Sequence, residues 1–145
     1  MPESQSLAKK VFTKMTEKDR FSRWMGIELL DTAEGYCKLQ MTVRKEMLNG
    51  FGITHGGVTF SFADSAFAFA SNSYGRLSVS LHASMTYNKP TKPGDILVAE
   101  AKKVSLGNKT ATFDVNVSNC QSKEIVAIFR GTVYRTSEFI LDKQE

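Results

Sequence analysis

The sequence predicts an α+β fold: a curved antiparallel sheet of about six strands wrapped around one long buried helix, with a short N-terminal helix. Three observations predict it. The stretch 58–71 reads VTFSFADSAFAFAS and is apolar on nearly every helical face, and a helix apolar all round is buried all round. Segments alternating apolar and polar with period two stand on both sides of it, two before and four after. Short turn signals link those segments, which makes consecutive strands antiparallel.

Each element follows in order. Over residues 4–20, Leu7, Val11, Phe12 and Met15 recur among Lys and Glu at helical spacing, with Ser4 or Ser6 as a cap. Gly26 ends that helix before a short strand, Ile27 to Asp31, and Glu34-Gly35 turns the chain. Cys37, Leu39, Met41 and Val43 then alternate with Lys38, Gln40, Thr42 and Arg44, a half-buried strand. Residues 47–57 are a glycine-rich loop, whose backbone goes where other residues cannot. After the apolar helix, Val79, Leu81, Ala83, Met85 and Tyr87 mark a strand. Pro90 to Asp95 turns it. Ile96 to Val104, Ala111 to Ser118 and Ile125 to Tyr134 complete the sheet.

At 145 residues the chain fits a single domain, 1–145, with no room for two ordinary ones. Hydrophobic residues at 41% and charged residues at 23% exclude wholesale disorder, collagen and coiled coil. No apolar run reaches the roughly 18 residues of a membrane span, and no secretory signal is expected at the N-terminus. The net charge of +4 is scattered, as expected of a solvated surface rather than a nucleic-acid footprint. Cys37 and Cys120 lack CxxC or metal spacing and read as free thiols in a reducing cytoplasm.

The chemistry centres on two features. Asp64 is the lone acid in a helix of Phe and Ala. A carboxylate there is costly to bury without partners, and functional sites are where such costs are tolerated. The plainer reading is a core Asp, or one on a wet stripe beside Ser61 and Ser65. The second feature is His55-Gly56-Gly57, directly before the helix. The first N–H groups of a helix lack internal partners and carry the positive end of its dipole. Glycine lets a ligand oxygen approach them, which makes an oxyanion site. A tight loop opening a helix is the plainer reading. His55 and Asp64 stand nine residues apart and point to nearly opposite sides of a helix turning about 100° per residue. One helix cannot easily bring both to one substrate, whereas a symmetric dimer can. A composite site between subunits is therefore expected. Asn49 is a candidate to hold a water or carbonyl, or an ordinary turn residue. Ser65 either orients substrate or bonds an upstream carbonyl. His82 reads as a bystander. No P-loop, GxGxxG, GxSxG or metal-spaced cluster is present.

The run Asn49, Gly52, His55-Gly56-Gly57 and Asp64 resembles the hotdog-fold acyl-CoA thioesterases, most closely their phenylacetate-degradation branch. The similarity continues through Tyr87, Pro90, Gly94-Asp95 and 126–131 and spans roughly residues 20–137. It implies hydrolysis of an aryl-acetyl-CoA, phenylacetyl-CoA or a ring-hydroxylated form, to the free acid and CoA. It implies that the Gly56 N–H polarises the thioester carbonyl and that Asp64 of the facing subunit attacks or activates water. Asn49 and His55 would organise the loop and the substrate carbonyl or water. Gly57, Ser65 and Ser80 would contact substrate. It implies no cofactor, coenzyme A being part of the substrate, and no metal, nucleic-acid or membrane partner. The expected assembly is a homodimer with shared sites, paired into a homotetramer in the cytoplasm.

Two other readings compete. A hotdog dehydratase or hydratase would also use a helix acid and a loop histidine, with His55 essential and no free thiol formed. A non-catalytic acyl-CoA-binding module would need no intact acid, and the presence of Asp64 argues for chemistry. Phe60, Phe67 and Phe69 suit an aryl group and equally suit a core. Arg76, Lys89 and Lys92 read as solvated charges or as contacts for the CoA phosphates.

Overall fold

The computed structural model describes residues 3–142. Helix α1 spans Glu3–Thr16 and α2 spans Arg20–Met25. Strands β1 (Glu28–Ala33) and β2 (Tyr36–Thr42) form a hairpin, and a short 3-10 turn at Lys45–Met47 leads into the glycine-rich loop. Helix α3 spans Gly56–Asn72. Strands β3 (Arg76–Tyr87), β4 (Ile96–Leu106), β5 (Thr110–Asn119) and β6 (Ile125–Phe139) follow. All pair antiparallel in one sheet of order β1-β2-β4-β5-β6-β3. Helix α3 crosses its inner face, packed mainly on β2, β4 and β5. This is the expected α+β architecture, one long helix on a six-stranded sheet.

The core follows from the alternation in the strands. Leu39, Met41, Leu97, Phe113 and Phe129 all point inward and are fully buried, as are Phe62 and Phe67 from the helix. Phe67 packs against Phe113 and Phe129 with ring centroids 6.1 and 5.3 Å apart. Each such ring contributes about 1.5–3 kcal/mol by leaving water. Phe67 thus belongs to the core and not to a substrate pocket.

Three expectations need correction. The helix over 4–20 is two helices, because Asp19 starts a new one. Its carboxylate accepts from the Ser22 N–H at 3.1 Å and the Ser22 hydroxyl at 2.7 Å, the arrangement of an N-cap. The candidate caps Ser4 and Ser6 fall among residues whose side chains lie outside the described set. Helix α3 is not buried all round. Gly57 is exposed, and Ser61, Asp64, Ser65 and Ala68 are half-buried. These share one face by the i, i+4, i+7/8, i+11 rule, and the sheet does not cover that face. Arg76 is not a free surface charge: its guanidinium donates to the Thr136, Asn108 and Arg135 carbonyls and to Asn108 Oδ1, tying the end of β3 to β6 and the β4–β5 turn.

Strand β3 forms a free edge of the sheet. Leu81 is 60% exposed, and Val79 and Tyr87 are exposed beside it. Among the described residues no helix is long and apolar enough to cross a membrane.

Candidate active site

The glycine-rich loop folds on its own polar groups. Asn49 Oδ1 accepts from the Phe51 N–H at 2.9 Å, its N–H donates to the Ile53 carbonyl at 2.8 Å, and its carbonyl accepts from the Gly52 N–H. Gly52 has φ +79°, a left-handed backbone that favours glycine. The buried Thr91 hydroxyl donates to that of Thr54 at 2.6 Å, and the Thr54 N–H donates to the Thr91 carbonyl. These bonds pin the loop to the turn after β3.

His55 then caps α3. Its Nδ1 accepts from the Gly57 N–H at 2.8 Å, and its carbonyl accepts from the N–H groups of Val58 and Thr59. An accepting Nδ1 carries no proton, so in the neutral ring the proton sits on Nε2. With those three donors engaged, the Gly56 N–H remains the first-turn donor without an acceptor among the described residues. It stands at the positive end of a helix of 17 residues. The Gly56 carbonyl accepts from the Tyr87 hydroxyl at 2.9 Å. A side chain at Gly56 would meet the Tyr87 ring at 3.3 Å, so glycine allows this close approach. A cleft of about 380 Å³ opens here, lined by Asn49, Ile53, Gly56, Tyr87, Lys89 and Val126 among others. Lys89, at its rim, is ion-paired with Glu124.

Asp64 lies elsewhere. Eight residues past Gly56, it is ~12 Å along the helix and rotated by ~80°, on the half-open stripe. No hydrogen bond or charge among the described residues holds it ionised, and burial pushes its carboxyl above the usual carboxylate range. The neighbouring Ser65 hydroxyl lies 3.4 Å from that of Ser22. Ser80 is exposed on the free β3 edge, about 20 Å along the strand from Tyr87. A single chain therefore brings Asn49, His55, Gly56 and Gly57 together and leaves Asp64, Ser65 and Ser80 apart from them. The bond from Tyr87 to Gly56 and the contact of Ser22 with Ser65 have no local signal in the sequence, because they join residues 31 and 43 positions apart.

A six-stranded antiparallel sheet around one long helix is the hotdog architecture. The chain belongs to the thioesterase superfamily, whose family model matches residues 51–126, and it is a thioester hydrolase. It is 39% identical over 121 residues to the acyl-coenzyme A thioesterase PaaI of Escherichia coli, covering 83% of this chain and 86% of that one. The E. coli PaaI structure superposes with a TM-score of 0.91, at 34% identity, over 94% of this chain and 98% of that one. A protein of Archaeoglobus fulgidus, described only as a candidate esterase, is 47% identical over 124 residues, 86% of this chain and 80% of that one. A Streptococcus mutans structure bound to acetyl CoA matches with a TM-score of 0.75 and 31% identity, over 78% of this chain and 90% of that one.

Proposed function

We propose that the chain hydrolyses aryl-acetyl-CoA thioesters, phenylacetyl-CoA or its ring-hydroxylated forms, to the free acid and CoA, in cytoplasmic aromatic catabolism. Acyl-CoA thioester hydrolysis of the PaaI type is the class to which the similarity assigns it. The observation that carries the mechanism is the separation within one chain of a free oxyanion donor, the Gly56 N–H, from an unpartnered acid, Asp64. A homodimer that pairs the loop of one subunit with Asp64 of the other makes them one site, and two dimers form the tetramer.

In that site the thioester oxygen accepts from the Gly56 N–H, and the helix dipole stabilises the charge that develops on it. The Asp64 carboxylate either attacks the carbonyl carbon, expelling the CoA thiolate and leaving an anhydride that water hydrolyses, or takes a proton from the attacking water. Thiolate is a good leaving group, so these two parts suffice. Asn49 and His55 hold the loop that presents Gly56, and Gly57, Ser65 and Ser80 contact the substrate. The His55 Nδ1 accepts from the Gly57 N–H, which supports this holding role.

The test is thiol release from phenylacetyl-, hydroxyphenylacetyl-, benzoyl-, hexanoyl- and palmitoyl-CoA, wild type beside Asp64→Asn. The arylacetyl thioesters are expected to be the best substrates, and Asp64→Asn to lower turnover about 10²-fold or more. Near wild-type turnover in the variant would refute the role of Asp64. Preference for hexanoyl- or palmitoyl-CoA would refute the aryl reading.

A further inference from the structure

A second cavity, of about 280 Å³, lies between α1, α2, β1 and α3 and shares no lining residue with the Gly56 cleft. Its apolar walls are Phe12, Ile27, Leu29 and Phe69, and an equal number of polar residues, the charged Asp19 and Arg23 among them, line the rest. Phe12 and Phe69 meet edge to face at 4.8 Å. Phe12, Ile27 and Leu29 pack on the core yet stay only half-buried, so the chain leaves apolar surface unfilled here. The cavity adjoins the segment that carries the acid. The Ser22 hydroxyl lies 3.4 Å from that of Ser65, Ser65 follows Asp64, and Phe69 stands one turn beyond Ser65 on the same helix face.

We propose that this cavity receives the aromatic ring of the acyl group and that its four apolar walls set acyl preference. The inference rests on the thioesterase reading with Asp64 as the acid. With CoA entering by the Gly56 cleft of one subunit, the acyl side of the carbonyl points at the subunit that supplies Asp64. An arylacetyl group carries its ring one methylene from that carbonyl, so the ring must lodge close to Asp64. Size agrees. A dry cavity of ~150 Å³ holds a benzene ring, and the larger space here takes a ring, its methylene and a ring substituent. The paired phenylalanines offer the edge-to-face contacts aromatic rings favour.

Leu29→Trp fills the cavity without touching Asn49, His55, Gly56 or Asp64. Thiol release is measured with phenylacetyl-CoA and propionyl-CoA, with enzyme raised until the slower reaction is readable. The ratio of kcat/KM, phenylacetyl over propionyl, is expected to fall about tenfold or more, the scale of discrimination an apolar pocket supplies. An unchanged ratio, or an equal fall for both substrates, overturns the proposal. Ile27→Phe is run beside it as a smaller filling change, so that misfolding of one variant does not decide the matter. Failure of the underlying reading is separate and does not involve the cavity: a wild type that releases no thiol from either substrate, or Asp64→Asn with wild-type turnover.

Discussion

Asp64 shows how a single side chain links stability to chemistry. Burial raises its carboxyl above the usual range, and no partner among the described residues offsets this. Between the unfolded and folded values the native state holds more protons, so stability falls as pH rises through that interval. At neutral pH the folded protein therefore carries the cost of a desolvated carboxylate. Asp64→Asn removes it. The variant is expected to melt at or above the wild-type temperature at pH 7 while losing hydrolysis. A clear drop in Tm would show that Asp64 holds the fold instead. The wild-type rate should also rise with pH through an apparent pKa above the ordinary aspartate value of about 3.9. A pH–kcat/KM profile from pH 3 to 8 reads this directly, and a limb at or below that value contradicts it. The sequence made Asp64 and Gly56 visible, one as a lone acid among Phe and Ala, the other as glycine opening a helix. It hid Tyr87 and Ser22, whose parts depend on contacts that only the closed sheet and the docked α2 create.

At the scale of elements, α3 begins two residues before the apolar run does. The reason is the His55 cap, and histidine is not among the favoured N-cap residues. The cap suggests a way to separate holding from proton transfer. His55→Ala should cost about 1 kcal/mol of stability and slow hydrolysis less than Asp64→Asn does. His55→Asn should regain that stability, since asparagine caps well but supplies no ring N–H. If His55→Ala is instead the more damaging of the two in rate, proton transfer by His55, and with it the dehydratase, becomes the better account. The strands were legible from period-two alternation because one face of each meets the core. The division of the first helix escaped the periodicity, although its cause is local: the Asp19 side chain turns back on Ser22, three residues on. Gly131 in β6 is a further hidden constraint. A Cβ there would stand 2.7 Å from the Phe67 ring and 2.9 Å from that of Phe129, both fully buried. Gly131→Ala should therefore destabilise by about 1–3 kcal/mol through overpacking, measurable by urea titration.

At the scale of the molecule, one chain leaves two surfaces unfinished. The free edge of β3 exposes Val79, Leu81 and Tyr87, and a long apolar edge invites pairing with another strand. The uncovered stripe of α3 exposes the very acid the proposed chemistry needs. A second copy that covers both also assembles the site, and this is open to a direct test. Asp64→Asn removes the acid. Gly56→Val leaves the N–H in place but sets a branched side chain where Tyr87 already crowds the backbone at 3.3 Å, blocking approach of the carbonyl. Each variant alone should be nearly inactive. When both are co-expressed, a mixed dimer holds one site with both lesions and one site with neither. Random assortment makes half the dimers mixed, so the mixture should recover about a quarter of wild-type activity. Recovery of about a half in the purified mixed dimer places Asp64 and Gly56 of one site on different subunits. Mixed dimers no more active than their parents would put both groups of each site on one chain and overturn the shared-site mechanism.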